Sequence, residues 1–187
     1  IATWPVWAVY MPDEVAAYQY QGQTFLVMAN EGDVRDYPGY AEAVRVSTLT
    51  LDPTAFPNAA ELKKTNNLGR LQVSKVGGDV DGDGDYDFLF ATGGRSLTIR
   101  TADGQVVFDS GDQFEQVTAA LYPKNFNCSN TANTRDARSP SKGPEPEGVA
   151  LGKVAGRTLA FIGFERIGGI IVYDVSSPSA PEFVQYI

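Results

Sequence analysis

Short apolar stretches alternate along the chain with breaks rich in Gly, Asn and Asp, and apolar positions seldom recur at helical spacing. Alternation with a period of two marks a strand covered on one face, and a short unbroken apolar run marks one covered on both. Residues 15–20 (VAAYQY) predict a strand, Gln21-Gly22-Gln23 a tight turn, and 24–29 (TFLVMA) a second, more buried strand. Residues 44–51 (VRVSTLTL) alternate as a half-exposed strand does. Strands are also expected at 71–76, 88–92, 97–100 and 106–109, the last two joined across the hairpin signal Asp103-Gly104. Residues 149–154, 158–164, 170–175 and 183–187 complete the series. Helix is expected at 59–64 and 113–122, the second stopped by Pro123, with a helical turn at 41–44. Residues 124–146 hold few large apolar side chains and predict a long loop. The opening stretch, 1–11 (IATWPVWAVYM), is aromatic and broken by Pro5, an incoming strand or a packed connection.

Three stretches repeat this pattern: VAAYQYQGQTFLVMANEGD, LQVSKVGGDVDGDGDYDFLFATGGR and VALGKVAGRTLAFIGFERIGG. Each runs strand, Gly-bearing turn, buried strand, then a loop with Gly and charge. Four-stranded antiparallel units repeating every roughly forty residues predict a β-propeller. The fold class is therefore expected to be all-β, with three four-stranded blades at about 13–51, 70–111 and 145–187 and surface insertions at 52–69 and 112–144. Propeller rings close with about four to eight blades, so 1–187 is expected to be a partial propeller, the C-terminal part of a larger one. The expected partner is the remainder of that propeller, from the same parent chain or another. The chain opens on Ile1 without an initiating Met or a leader pattern, in keeping with a fragment.

Candidate chemistry concentrates in Asp79-Val80-Asp81-Gly82-Asp83-Gly84-Asp85-Tyr86-Asp87. Carboxylates at every second position repel one another, and a hard cation offsets that repulsion because calcium takes six to eight oxygen ligands. Asp79, Asp81 and Asp83 would offer side-chain oxygens, Gly84 the sharp bend, Asp85 its carbonyl, and Asp87 the closing carboxylate. The stretch begins like an EF-hand loop but places Phe90 where the bidentate Glu belongs, and an apolar run follows instead of a helix. A calcium loop joining two strands is expected, with a structural ion. The plainer alternative is a solvated acidic loop that binds nothing specifically.

Charge and composition narrow the rest. A net charge of −8 argues against a nucleic-acid partner, which needs a basic footprint. No run of eighteen apolar residues is present, so no membrane span is expected in this segment. An acidic chain with a calcium-type loop suits an extracellular, cell-surface or periplasmic location. Cys128 is the one cysteine, so no internal disulfide can form. Histidine is absent, which removes Ser-His-Asp and Cys-His nucleophile pairs and His-ligated zinc from this chain.

Several motifs resemble the choice-of-anchor I family of bacterial surface β-propellers, whose members are often labelled mesenchyme-specific cell surface glycoprotein or alkaline-phosphatase-like. They are Met28-Ala29-Asn30-Glu31-Gly32-Asp33, Gly93-Gly94-Arg95-Ser96, Val107-Phe108-Asp109-Ser110-Gly111-Asp112, Lys142-Gly143-Pro144-Glu145-Pro146-Glu147-Gly148 and Phe164-Glu165-Arg166-Ile167-Gly168-Gly169. The stretch from Ile170 to Pro178 (IIVYDVSSP) is similar to the LVIVD repeat of cell-surface propellers. The resemblance implies a larger secreted propeller, anchored by varied means and sometimes beside phosphoesterase domains. It assigns no catalytic residue.

Equivalent loops of successive blades emerge on one face of a propeller. Glu31, Asp33 and Asp36, with Glu165 and the more loosely placed Glu145 and Glu147, form a candidate second acidic site at that mouth. Divalent ions held there would bind phosphates. Two functions compete: a calcium-binding surface module with a binding or scaffold role and unknown ligand, and a metal-dependent phosphoesterase of alkaline-phosphatase or phytase type, or its accessory propeller. The plainer reading of these acids is that they pair with Arg166, Arg95 and Arg138 to fix the long loops.

Overall fold

The computed structural model describes every residue, 1–187. In chain order the strands are β1 (Trp7–Val9), β2 (Glu14–Tyr20), β3 (Gln23–Ala29), β4 (Asp36–Tyr37), β5 (Tyr40–Ala41), β6 (Ala43–Arg45), β7 (Gln72–Ser74), β8 (Phe90–Thr92), β9 (Leu97–Thr101), β10 (Val106–Asp109), β11 (Pro146–Val154), β12 (Arg157–Phe164), β13 (Ile170–Asp174) and β14 (Glu182–Tyr186). Helix is confined to α1 (Ala59–Leu62) and α2 (Gln113–Leu121), with a 3-10 turn at Val46–Thr48. Neither helix is long or apolar enough to cross a membrane.

Two four-stranded antiparallel sheets carry the fold, ordered β10-β9-β3-β2 and β11-β12-β13-β14. Their tight turns follow from backbone chirality. Gln21 and Gly22 between β2 and β3, and Ala155 and Gly156 between β11 and β12, all have positive φ. That geometry matches the right-handed twist of paired strands. Alternation then sorts each strand's faces: Phe25, Val27 and Ala29 of β3 are buried, as are Leu97 and Ile99 of β9 opposite them. Ala160, Ile162 and Phe164 of β12 and Ile171 and Tyr173 of β13 are the inward set of the second sheet. The two sets form one core. β11 lies against β2 and β3, and the Val149 amide donates to Glu14 Oε2 at 2.7 Å across the seam. Helix α2 covers one end of this core, its fully buried Phe114 ring 5.0 Å from Phe164 and 6.0 Å from Tyr173.

An all-β chain of several antiparallel sheets is compatible with a propeller segment. The number of four-stranded sheets is two, however, where three were expected. Residues 13–51 and 70–111 do not make separate sheets. The second edge of β3 pairs with β9, Val27 opposite Ile99 and Met28 opposite Thr98, so the strands of both stretches share one sheet. Residues between β3 and β9 form an excursion that includes the expected insertion at 52–69 and extends well beyond it. The strand expected at 44–51 is β6 plus the 3-10 turn, and β6 pairs with β7 rather than with β3. The excursion holds together because it has its own core of Val46, Leu49, Leu51, Phe56, Leu62, Leu68, Val73 and Leu89. β8 pairs in parallel with β1, which ties the opening aromatic stretch to the excursion.

Candidate metal loop and the charged mouth

The aspartate-rich loop connects β7 to β8, strands that belong to different sheets, so it is not the turn of a hairpin. Its base is pinched where the amides of Asp87 and Phe88 both donate to the Gly78 carbonyl, at 2.8 and 3.0 Å. Above that pinch the carboxylates wind the loop around themselves. Asp79 accepts from the Gly82 amide at 2.7 Å through Oδ1 and from the Gly84 amide at 3.1 Å through Oδ2. Asp87 Oδ2 accepts from the Val80 amide at 2.9 Å. Gly82 and Gly84 take φ of 80° and 98°, a region open to glycine at little cost, and so turn the amides inward.

One carboxylate oxygen each from Asp79, Asp81 and Asp87 lie within 4.8 Å of one another. Oxygen ligands sit about 2.3–2.6 Å from a calcium ion, so oxygens on opposite sides of it are about 5 Å apart. The donor set thus fits a hard divalent ion in type and spacing. The five expected aspartates do not share one shell. Asp83 Oδ1 accepts from the Asp85 amide and joins neither group. Asp85 joins Asp87 and Asp52 in a second trio. Partial desolvation, then the charges of Asp83, Asp52, Asp87 and Asp81, raises the Asp85 carboxyl above its ordinary value. Asp52 escaped the sequence reading because a bridge between Leu51 and Tyr86 delivers it, with its amide donating to the Tyr86 carbonyl at 3.1 Å. Only the Asp52-Pro53 break hinted at a fixed turn there.

Of the second acidic set, Glu31, Glu145 and Glu165 come together at the ends of the two large sheets. Glu31 follows β3, Glu145 precedes β11 and Glu165 follows β12. Gly32 and Gly93 cross there so closely that a Cβ on either would collide with the other's backbone segment, and both have positive φ. Asp33 is 84% exposed at the edge, 3.8 Å from the Lys142 ammonium. Asp36 sits in the exposed β4–β5 hairpin, and Glu147 is exposed on β11, so neither joins the cluster.

The three gathered carboxylates are met by three cations. Lys142 Nζ donates to Glu31 Oε1 at 2.5 Å and lies 3.2 Å from Glu145 Oε2. Arg138 donates to Glu145 Oε1 through Nε, at 3.1 Å, and through Nη2. Arg166 Nε lies 3.1 Å from Glu145 Oε2, off the line a hydrogen bond needs, and its Nη1 lies 3.0 Å from Glu165 Oε1. Burial raises the Glu145 carboxyl, but the contacts from Arg138 and Arg166 and the charges of Lys142 and Arg138 outweigh it and draw it down to about 2. Glu31 goes the other way: desolvation raises it and Lys142 compensates only in part. Lys142 is the group that sequence reasoning missed, and its i,i+3 spacing to Glu145 was the available signal. Arg95 is placed separately, on Glu115 Oε1 at 3.1 Å and on the carbonyls of Ser139 and Ser141. Chemically this is a buried, compensated network that ties the loop 124–145 to both sheets.

The choice-of-anchor I domain model matches residues 1–178. Gigasin-3a of Magallana gigas is 39% identical over 116 residues, which are 59% of this chain and 40% of that protein. A mesenchyme-specific cell surface glycoprotein of Strongylocentrotus purpuratus is 26% identical over 89% of this chain and 26% of its own length. The chain thus spans well under half of either relative. No solved structure matches it.

Proposed function

The chain belongs to the choice-of-anchor I family, and from that premise we propose that it is part of a secreted or cell-surface β-propeller. Its role there is that of a binding or scaffolding module, stiffened by a calcium ion on the aspartate loop. The observation that carries the ion is the gathering of Asp79, Asp81 and Asp87 oxygens within 4.8 Å, with loop amides donating to all three carboxylates. Three like charges at that separation repel, and an oxygen-seeking divalent cation turns the repulsion into attraction. Extracellular calcium is abundant enough for a loop of modest affinity, and the sea-urchin relative is by name a cell-surface protein. The remaining blades come from further polypeptide, of the same parent chain or another.

Phosphoester hydrolysis is the weaker reading. A hydrolytic metal at Glu31, Glu145 and Glu165 would have to displace Lys142, Arg138 and Arg166 from carboxylates they already neutralise.

Thermal unfolding with calcium and with chelator tests the module reading. An ion bound only to the folded state stabilises it, by about 2.7 kcal/mol at a hundredfold excess over its dissociation constant. Calcium is therefore expected to raise the midpoint by several degrees. Asp81→Ala should abolish the rise, whereas Asp83→Ala should leave most of it. Equal midpoints with and without calcium in the unsubstituted chain would remove the ion from the proposal.

A further inference from the structure

Beside the aspartate loop lies a cleft of about 720 Å³ whose lining includes Trp4, Trp7, Phe88 and Val80 together with Asp52 and Asp87, and no basic side chain. Trp7 is 64% exposed and Val80 63%, with Trp4 and Phe88 also exposed, an unusual concentration of large apolar side chains at one surface. Phe88 stacks on Phe90 at 5.9 Å, so its ring is held rather than loose. The carboxylates decide what can cover this surface. An apolar element laid over it would bury Asp52, and Asp87 when no ion holds it, without a counter-charge, which is unfavourable. A cation satisfies both halves of the site, because aromatic faces attract it and the carboxylates pair with it.

We propose that this cleft docks an extended basic peptide segment of a partner protein, one lysine or arginine side chain lying over the tryptophan rings with its charge toward Asp52 and Asp87. Asp52 Oδ1 is occupied by the amides of Thr54 and Ala55, which leaves Oδ2 to face the incoming cation. Asp87 is shared with the proposed calcium, so with that ion bound the pairing falls to Asp52, which lies outside the Asp79, Asp81 and Asp87 trio.

The chain has two tryptophans, and both line the cleft, so intrinsic fluorescence reports on it directly. The test titrates this chain, in calcium and in chelator, with a short peptide holding two arginines flanked by leucine. The comparison is the same peptide with citrulline at both arginines. A saturable emission change is expected for the arginine peptide, with binding about tenfold weaker for the citrulline one. Asp52→Asn keeps the acceptor for the Thr54 and Ala55 amides and should weaken binding about tenfold. Trp7→Ala, at an exposed side chain, should weaken it comparably, read from Trp4. Glu182→Gln, an equal charge change on the exposed edge of β14, should leave it unaltered. The proposal fails if no saturable change occurs in either buffer, if the citrulline peptide binds equally well, or if Glu182→Gln matches Asp52→Asn.

Discussion

Glu145 shows how one side chain can hold a long loop. It is fully buried in a left-handed backbone conformation at φ 54°, its amide donating to the Lys142 carbonyl at 3.4 Å and its carbonyl accepting from the Glu165 amide at 2.9 Å. Its carboxylate is tolerable there because Arg138, Lys142 and Arg166 surround it. A carboxyl whose folded value is depressed stabilises the fold above its unfolded value and ceases to do so as pH falls through the folded one. For Glu145 that window runs from its ordinary 4.5 down to about 2. Glu31, raised by burial, has the opposite sign: its protonation favours the folded chain, and that gain is made as pH falls towards 4.5, above the window in which Glu145 loses its contribution. Urea unfolding followed from neutral pH downward should show stability falling most steeply below 4.5. Glu145→Gln should flatten that slope and cost roughly 3–5 kcal/mol at neutral pH, because it leaves three cations facing a neutral amide.

Among the elements, α2 matters most for how the sheets are joined. Gln113 Oε1 accepts from the Tyr173 hydroxyl at 2.8 Å, Phe114 fills the space above Phe164, and Thr118 is buried one turn on. Phe114→Ala would open a void between helix and second sheet. A loss of about 3–5 kcal/mol in denaturant unfolding is expected. Individual elements were well marked in the sequence where local physics sufficed. The helix at 113–122 is stopped by Pro123, the turns at Gly22 and Gly156 carry their glycines, and short apolar runs mark β3 and β12. Failure came where an element's partner was decided far away. Residues 44–51 alternate as a strand, yet Val46–Thr48 coil into a 3-10 turn because Val46, Leu49 and Leu51 all point into the excursion's own core. The same cause divided the aspartate loop between two trios: Asp52 arrives through a nonlocal bridge that no spacing in the loop announces.

At the scale of the whole molecule, the two hydrophobic clusters are separate bodies of packing, one between the large sheets and one inside the excursion. Cooperative units of unfolding follow such clusters. Hydrogen exchange should therefore find two classes of slow amide, with Ile162 and Ile171 in one and Val46 and Val73 in the other. Removing the calcium proposed for the aspartate loop should speed exchange in the second class and leave the first nearly unaltered. The count of four-stranded sheets was misread for the same reason the clusters are separate. A repeat of similar strands reads as a repeat of sheets until the pairing of Met28 with Thr98 shows which strands belong together.

That pairing also sets a timetable for synthesis. Asn30 and Ser96, joined side chain to side chain in the finished sheet, lie 66 residues apart in the chain. On the ribosome the β2–β3 hairpin must wait with one edge bare until β9 emerges, whereas β11 to β14 can each pair with a strand that has just appeared. Compaction of the excursion before β9 emerges would shorten the search that follows, by holding the ends of β3 and β9 close when the sheet closes.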